Sequence, residues 1–236
     1  MTRTTANGLN NPPELGPRTE GHRGPSLEVL VWIHAALFAA SLVLLNAVAT
    51  EPWPLPGTSS TSIVAYLRHN QSTIRMGGAL QFAASVPLAL YAATMCSRLM
   101  YLKVRAAGPT IALMGGLAAS IFLAAGGLIM AGAGLAADAV TPSTAAAMHS
   151  LIFLTGGPAA IVFIGLLVAG VTVPSRVCGF LPRGVTAAGV AIAVVCEAAT
   201  LATGFDQAWV LLPIGRIAST VWLILAARLL PRGRPK

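Results

Sequence analysis

Residues 106–137, AAGPTIALMGGLAASIFLAAGGLIMAGAGLAA, contain not one Asp, Glu, Lys or Arg. A hydrocarbon core of about 30 Å is crossed by roughly 20 apolar residues at 1.5 Å each, so a run of this length reads as a membrane-spanning helix. The remainder of the chain repeats the pattern. Runs at 29–50, 76–97 and 143–172 are free of charge, and runs at 184–204 and 207–229 are interrupted only by Glu197, Arg216 and Arg228. A spanning barrel would need alternating segments of about ten residues, and these runs are continuous. We therefore expect an all-α, polytopic membrane protein: a bundle of six transmembrane helices over residues 27–231.

Composition agrees. Hydrophobic residues make up 56% and charged residues 9%, against about 25% charged in a soluble globular chain. So few charges cannot cover the surface of a soluble fold. The apolar content excludes a disordered chain, and three cysteines exclude a disulfide scaffold. The net charge of +8 would point to nucleic acid on a soluble domain. Here the cations sit between apolar runs, where they set orientation, so no nucleic-acid partner is expected. Thirteen of the fifteen cations are Arg, and with heavy Ala and Gly usage this fits a bacterial chain of GC-rich coding.

Orientation follows from counting. With the N-terminus inside, Arg3, Arg18, Arg23, Arg98, Lys103, Arg105, Arg176, Arg183, Arg228, Arg232, Arg234 and Lys236 are all cytoplasmic. Only Arg68 and Arg75 then lie outside, beside Glu51, Asp138 and Asp206. The positive-inside rule places both termini in the cytoplasm and the chain in the plasma membrane. Residues 1–26, with four Pro and four Gly, are expected to form a disordered cytoplasmic tail, and 232–236 a short basic one. Ala47-Val48-Ala49 resembles a signal-peptidase site, but the apolar run before it exceeds the 7–15 residues of a signal peptide, so an uncleaved helix is expected. Between the first two spans, Ser59-Ser60-Thr61-Ser62 offers an N-cap to a short surface helix carrying Ile63 and Leu67.

The third span has a distinctive face. Gly108, Ala112, Gly116, Ser120 and Ala124 recur every fourth residue, flanked by Gly115, Ala119, Gly127 and Ala131. Such spacing lets a second backbone approach closely. The first use we expect is central packing within one bundle. The alternative is a homodimer seam, or contact with another membrane protein, beside the lipid bilayer itself. In the fourth span Gly156-Gly157-Pro158 predicts a kink, since Pro158 removes a backbone donor and crowds the preceding turn.

Ionisable residues within spans are the default functional clue, because a charge near the bilayer centre costs about 2.5–3.5 kcal/mol on insertion scales. Glu197 lies about 10 Å below the outer end of the fifth span and Arg216 about 14 Å below that of the sixth. Side chains tilt toward their own helix N-terminus, which is expected to bring these two together as a buried pair. Gln81, His149 and, at the rim, Arg75 share the outer half, so the candidate intramembrane polar cluster is Arg75, Gln81, His149, Glu197 and Arg216. Interhelical glue and a water-accessible pocket for an anionic or zwitterionic ligand are both compatible with it.

No cofactor, metal or catalytic residue is expected. His34 and His149 fall at depths about 14 Å apart, which disfavours a shared haem. Cys96, Cys178 and Cys196 show no C-x-x-C spacing and are expected to face cytoplasm or lipid. No zinc-protease, nucleophile-elbow, P-loop or dinucleotide fingerprint occurs.

The stretch Arg75-Met76-Gly77-Gly78-Ala79-Leu80-Gln81-Phe82, followed by Ala92-Ala93-Thr94, resembles the second span of a bacterial, actinobacterial-type six-helix integral-membrane family described as a domain of unknown function. The closing run from Glu197 to Pro231, with Leu212-Pro213-Ile214-Gly215-Arg216 and Val221-Trp222-Leu223-Ile224, is similar to the end of its members. The resemblance covers most of residues 27–231. It implies six helices in the plasma membrane and adds weight to Arg75, Gln81, Glu197, Pro213 and Arg216, but carries no activity.

Function is thus expected to be a non-enzymatic structural or regulatory bundle. The alternative is a small transporter or receptor binding an anionic or zwitterionic solute in the outer half. The topology itself is testable: reporter fusions after Lys236 and at Gly57 should give cytoplasmic and external signals respectively, and an external C-terminus contradicts six spans.

Overall fold

A computed structural model describes residues 24–233. Of the tails expected at 1–26 and 232–236, residues 1–23 and 234–236 lie outside the described residues. Within them the chain forms seven helices: α1 (Leu27–Val48), α2 (Ser60–His69), α3 (Gln71–Tyr101), α4 (Gly108–Leu135), α5 (Pro142–Cys178), α6 (Arg183–Thr203) and α7 (Asp206–Leu229). All except α2 are long and apolar enough to cross a membrane. There is no strand among the described residues.

The six long helices lie over the apolar runs, and two of them extend well beyond those runs. α3 starts at Gln71 rather than at 76, because α2 ends at His69 and Asn70 alone separates the two helices. Asn70 is a joint as well as a boundary: its amide nitrogen donates to the Tyr66 carbonyl (3.1 Å) and the Thr50 hydroxyl (3.0 Å), while its oxygen accepts from the Thr50 N–H (2.9 Å). α5 continues to Cys178, where Gly179 at φ 68° supplies the left-handed turn that ends it.

α2 is capped by Ser59, whose hydroxyl accepts from the Ser62 N–H at 3.2 Å. It does more than rest on a membrane surface. Ile63, Val64, Tyr66 and Leu67 are buried against Ile74, Met130, Ala133 and Ala145, so α2 closes one end of the bundle. The Tyr66 hydroxyl donates to the Leu45 carbonyl at 3.4 Å. Burial, helped by the Glu51 charge, pushes this phenol up to about 12, so near neutral pH it remains a neutral donor.

α4 is the central helix. It packs on α3 at one face and on α5 at the other; α1 lies against α3, α6 against α5, and α7 returns to α1. The small residues set these distances. A Cβ added at Gly78 would lie 2.5 Å from the Gly127 carbonyl oxygen, and one at Gly127 would lie 2.7 Å from that of Gly78. Gly108 and Gly170 make the corresponding contact between α4 and α5, at 2.8 and 2.7 Å. Backbones meet here with no room for a side chain, which is how helices associate in lipid without a hydrophobic driving force. The third-span face is therefore occupied within one chain, and a homodimer seam on it would have to displace those contacts.

Hydrogen bonds between helices complete the packing. The Ser41 hydroxyl donates to the Gly77 carbonyl (2.9 Å), Tyr91 to that of Leu223 (2.9 Å), and the Trp222 indole to that of Val185 (2.8 Å). The cysteines depart from expectation: Cys96 and Cys196 are buried in helix contacts, and only Cys178 is exposed. Cys196 faces inward because α6 packs it against Gly165 and Gly215.

Overpacking costs typically about 1–3 kcal/mol in a close-packed core. Gly78→Leu and Gly170→Leu should lose at least that much in detergent unfolding assays. Gly132→Leu, where nothing lies within 4 Å of an added Cβ, should change stability little.

Candidate functional site

The fourth span's Gly156-Gly157-Pro158 produces more than a bend. Residues Thr155–Ala159 form a π-helical turn. In it the Ala160 N–H bonds the Thr155 and Gly157 carbonyls and bypasses Gly156. The Gly156 carbonyl accepts instead from Nη2 of Arg216, on α7. A carbonyl released by a helix irregularity thus meets a guanidinium with few alternatives inside a membrane protein.

Arg216 has a second support. Its guanidinium carbon lies 4.5 Å from the ring centroid of Phe38, on α1, a cation–π distance. Among the described residues no carboxylate joins it. The ion pairs among the described residues are those of Glu28 with Arg228 (3.8 Å) and Arg232 (3.0 Å), at the other end of the bundle.

Around Arg216 opens a cavity of about 550 Å³. Its walls come from Phe38, Leu42 and Asn46 of α1, from Trp53 to Pro56 before α2, from Gln81 of α3, from Phe153, Gly156 and Gly157 of α5, and from Trp209, Leu212 and Pro213 of α7. The two glycines keep it open: an added Cβ at Gly156 would meet only the Gln81 side-chain oxygen, at 3.9 Å. Gln81 is buried, at 7% exposure, and its side chain lines the cavity wall. A second hollow of about 530 Å³ runs between α1 and α7 and shares Phe38, Leu42, Leu212, Pro213 and Arg216 with the first. His34 lines this groove, its Nδ1 donating to the Ala84 carbonyl at 2.9 Å. Arg216 stands at the junction of the two.

Of the five residues expected to cluster, Gln81 and Arg216 share the cavity. His149 supports its wall from behind, stacking on Trp53 (ring centroids 5.5 Å apart) and bonding the Pro54 carbonyl through Nε2 at 2.9 Å. Arg75 lies against Gly134 at the α3–α4 contact, outside the cavity. Glu197 is elsewhere too, exposed on the flank of the bundle.

The expected Glu197–Arg216 ion pair is not formed, and the reason is geometric. The Cys196 thiol donates to the Gly215 carbonyl at 3.7 Å, so these two residues mark one level of the α6–α7 seam. Glu197 and Arg216 follow them and leave their helices at nearly the same height. Each side chain tilts toward its own helix start. In antiparallel helices already level, that tilt drives the two heads apart. Arg216 reaches Gly156; Glu197 reaches the other way, its carboxylate 3.2 Å from where a Gly165 Cβ would lie. Those glycines are nine residues apart on α5, about 14 Å at the helical rise.

His34 enters the sequence reasoning only as a candidate haem ligand; Phe38, Trp53, Trp209 and the Gly156 carbonyl escape it. Only the last had a local signal, the Gly-Gly-Pro triplet. Among the described residues no group of three His, Cys, Asp or Glu is placed to hold a metal ion. No family model, no curated protein and no solved structure matches the chain.

Double-mutant cycles should separate these contacts. Arg216→Met combined with Phe38→Leu should show coupling of about 0.5–2 kcal/mol. Glu197→Gln combined with Arg216→Met should be additive within about 0.5 kcal/mol; larger coupling would restore the ion pair.

Proposed function

We propose that this chain is a non-enzymatic, multi-pass protein of a bacterial plasma membrane that binds an anionic or zwitterionic ligand in the cavity around Arg216. Both termini are cytoplasmic in this reading, and the end closed by α2 is external; the distribution of Arg and Lys supports it. The observation that carries the binding role is a guanidinium with no carboxylate partner among the described residues, facing a cavity of ligand size. Small-molecule sites are typically apolar and aromatic hollows of about 300–1,000 Å³ with a few placed polar groups. Here the polar groups are Arg216, Gln81 and Asn46, and the aromatic ones Phe38, Trp53, Phe153 and Trp209. The ligand class is an acid with an apolar body.

One observation favours the other reading, a structural or regulatory bundle. Arg216 already has an acceptor and an aromatic face within its own chain, as interhelical glue would.

Thermal-shift titration of purified protein with amphiphilic carboxylates, sulfonates and amino acids decides between the two. A ligand present at 100 times its Kd stabilises by about 2.7 kcal/mol. At least one acid should do so, and Arg216→Met should abolish the shift. A flat response to every acid, with Arg216→Met merely less stable, leaves the structural reading standing.

A further inference from the structure

The opposite end of the bundle, where α1 begins, holds a smaller cavity of about 250 Å³. It is lined by Ser26, Leu27 and Glu28 from the start of α1, by Arg98 from the last turn of α3, and by Arg232 beyond α7. Sequence counting treats Arg98 as one more cytoplasmic cation. In the fold it is 9% exposed, and its Nε is buried with no hydrogen-bond partner among the described residues. Leaving a buried charged donor unsatisfied is costly, more so than for a neutral group.

Three further features act on the same space. The first N–H groups of a helix have no intrahelical partner and carry the positive end of its dipole, and α1 turns that end to this cavity. Arg232 lines the same cavity as Arg98, so two like charges share one space. Among the described residues the acid that lines this space is Glu28, and the cations share it: Oε1 accepts from Arg232 at 3.0 Å, Oε2 lies 3.8 Å from Arg228, and its charge acts on Arg98 as well. One carboxylate against Arg98, Arg228 and Arg232 leaves two positive charges unanswered. Trp32, half exposed one turn into α1, lies beneath Arg228 at 5.8 Å. Tryptophan at such a position marks the headgroup level of a bilayer.

We propose that this cavity is a phosphate-oxyanion site, held by the Arg98 and Arg232 guanidinia and the α1 N-terminus, at the depth where an anionic lipid presents its headgroup. Arginine forks match phosphate oxygens in pairs, and helix N-termini receive them through backbone N–H groups. Basic pockets between spans on the cytoplasmic side are suited to anionic headgroups. The site is separate from the Arg216 cavity and does not depend on a ligand there.

The test uses full-length protein in neutral detergent and two probes: inorganic phosphate, with chloride at equal ionic strength as control, and phosphatidylglycerol against phosphatidylcholine in mixed micelles. Binding is read by thermal shift and by native mass spectrometry. Phosphate or phosphatidylglycerol should bind in preference to its control. Binding of both points to a lipid headgroup, and of phosphate alone to a free anion. Arg98→Gln should weaken binding by about tenfold or more, the loss of one charge-assisted hydrogen bond. Arg232→Gln, an exposed position safe for folding, should weaken it several-fold, and Arg216→Met should leave it unchanged. Equal binding by wild type, Arg98→Gln and Arg232→Gln, or no preference of either probe over its control, overturns the proposal.

Discussion

The architecture depends on backbone-to-backbone contact along α4. Lipid tails are as apolar as leucine, so burying apolar area gains little between spans, and association rests on close van der Waals contact and on polar groups that lipid cannot satisfy. Gly78 on Gly127 and Gly108 on Gly170 bring α3 and α5 against α4 from two sides. With those three helices fixed, α1 can reach only α3, and α6 only α5; α7 then closes the circle by meeting both α6 and α1. Alanine at any of these contacts would force the helices apart.

The cavity is a consequence of the same packing. α5 is held at Gly170 toward its C-terminal end and at Gly156 near its middle, where it lies on Gly126. Between those points Pro158 cannot continue a regular α-helix, and the chain absorbs the defect as a π turn. The turn offers a carbonyl to Arg216, and its two glycines leave volume that side chains would have filled. Arg216 and the open space therefore share one cause.

Much of the fold is legible in the sequence because the bilayer imposes simple rules. Charge-free runs of sufficient length give the spans, and four-residue spacing of small side chains gives the central helix. Pro158 announces the irregularity. What the sequence does not carry is the relative height of side chains on different helices. Glu197 and Arg216 look paired when depth is counted from loop ends. The Cys196–Gly215 contact sets their helices level, and the same N-terminal tilt then separates them. Phe38 is one apolar residue among many in α1, with nothing to single it out as the face beneath a guanidinium. Arg98 is the converse: a cation that obeys the positive-inside rule on paper and proves to be buried in α3. Burial of a long side chain near a helix end depends on what α1 and the end of α7 bring over it, contacts about 70 and 130 residues distant in the chain.

The central claim is that Arg216 presents its charge to an open cavity rather than to Glu197. Its most direct test is cysteine reactivity at Gly157→Cys, in a background lacking Cys96, Cys178 and Cys196. An added Cβ there has only Leu212 within 4 Å, at 3.4 Å, so the substitution fits. Small anionic and cationic methanethiosulfonates, applied to intact cells, report access and local charge together. The account predicts modification by both reagents, faster by the anion, with that preference lost in Arg216→Gln. No reaction at Gly157→Cys, or equal rates for the two reagents with Arg216 intact, would contradict it.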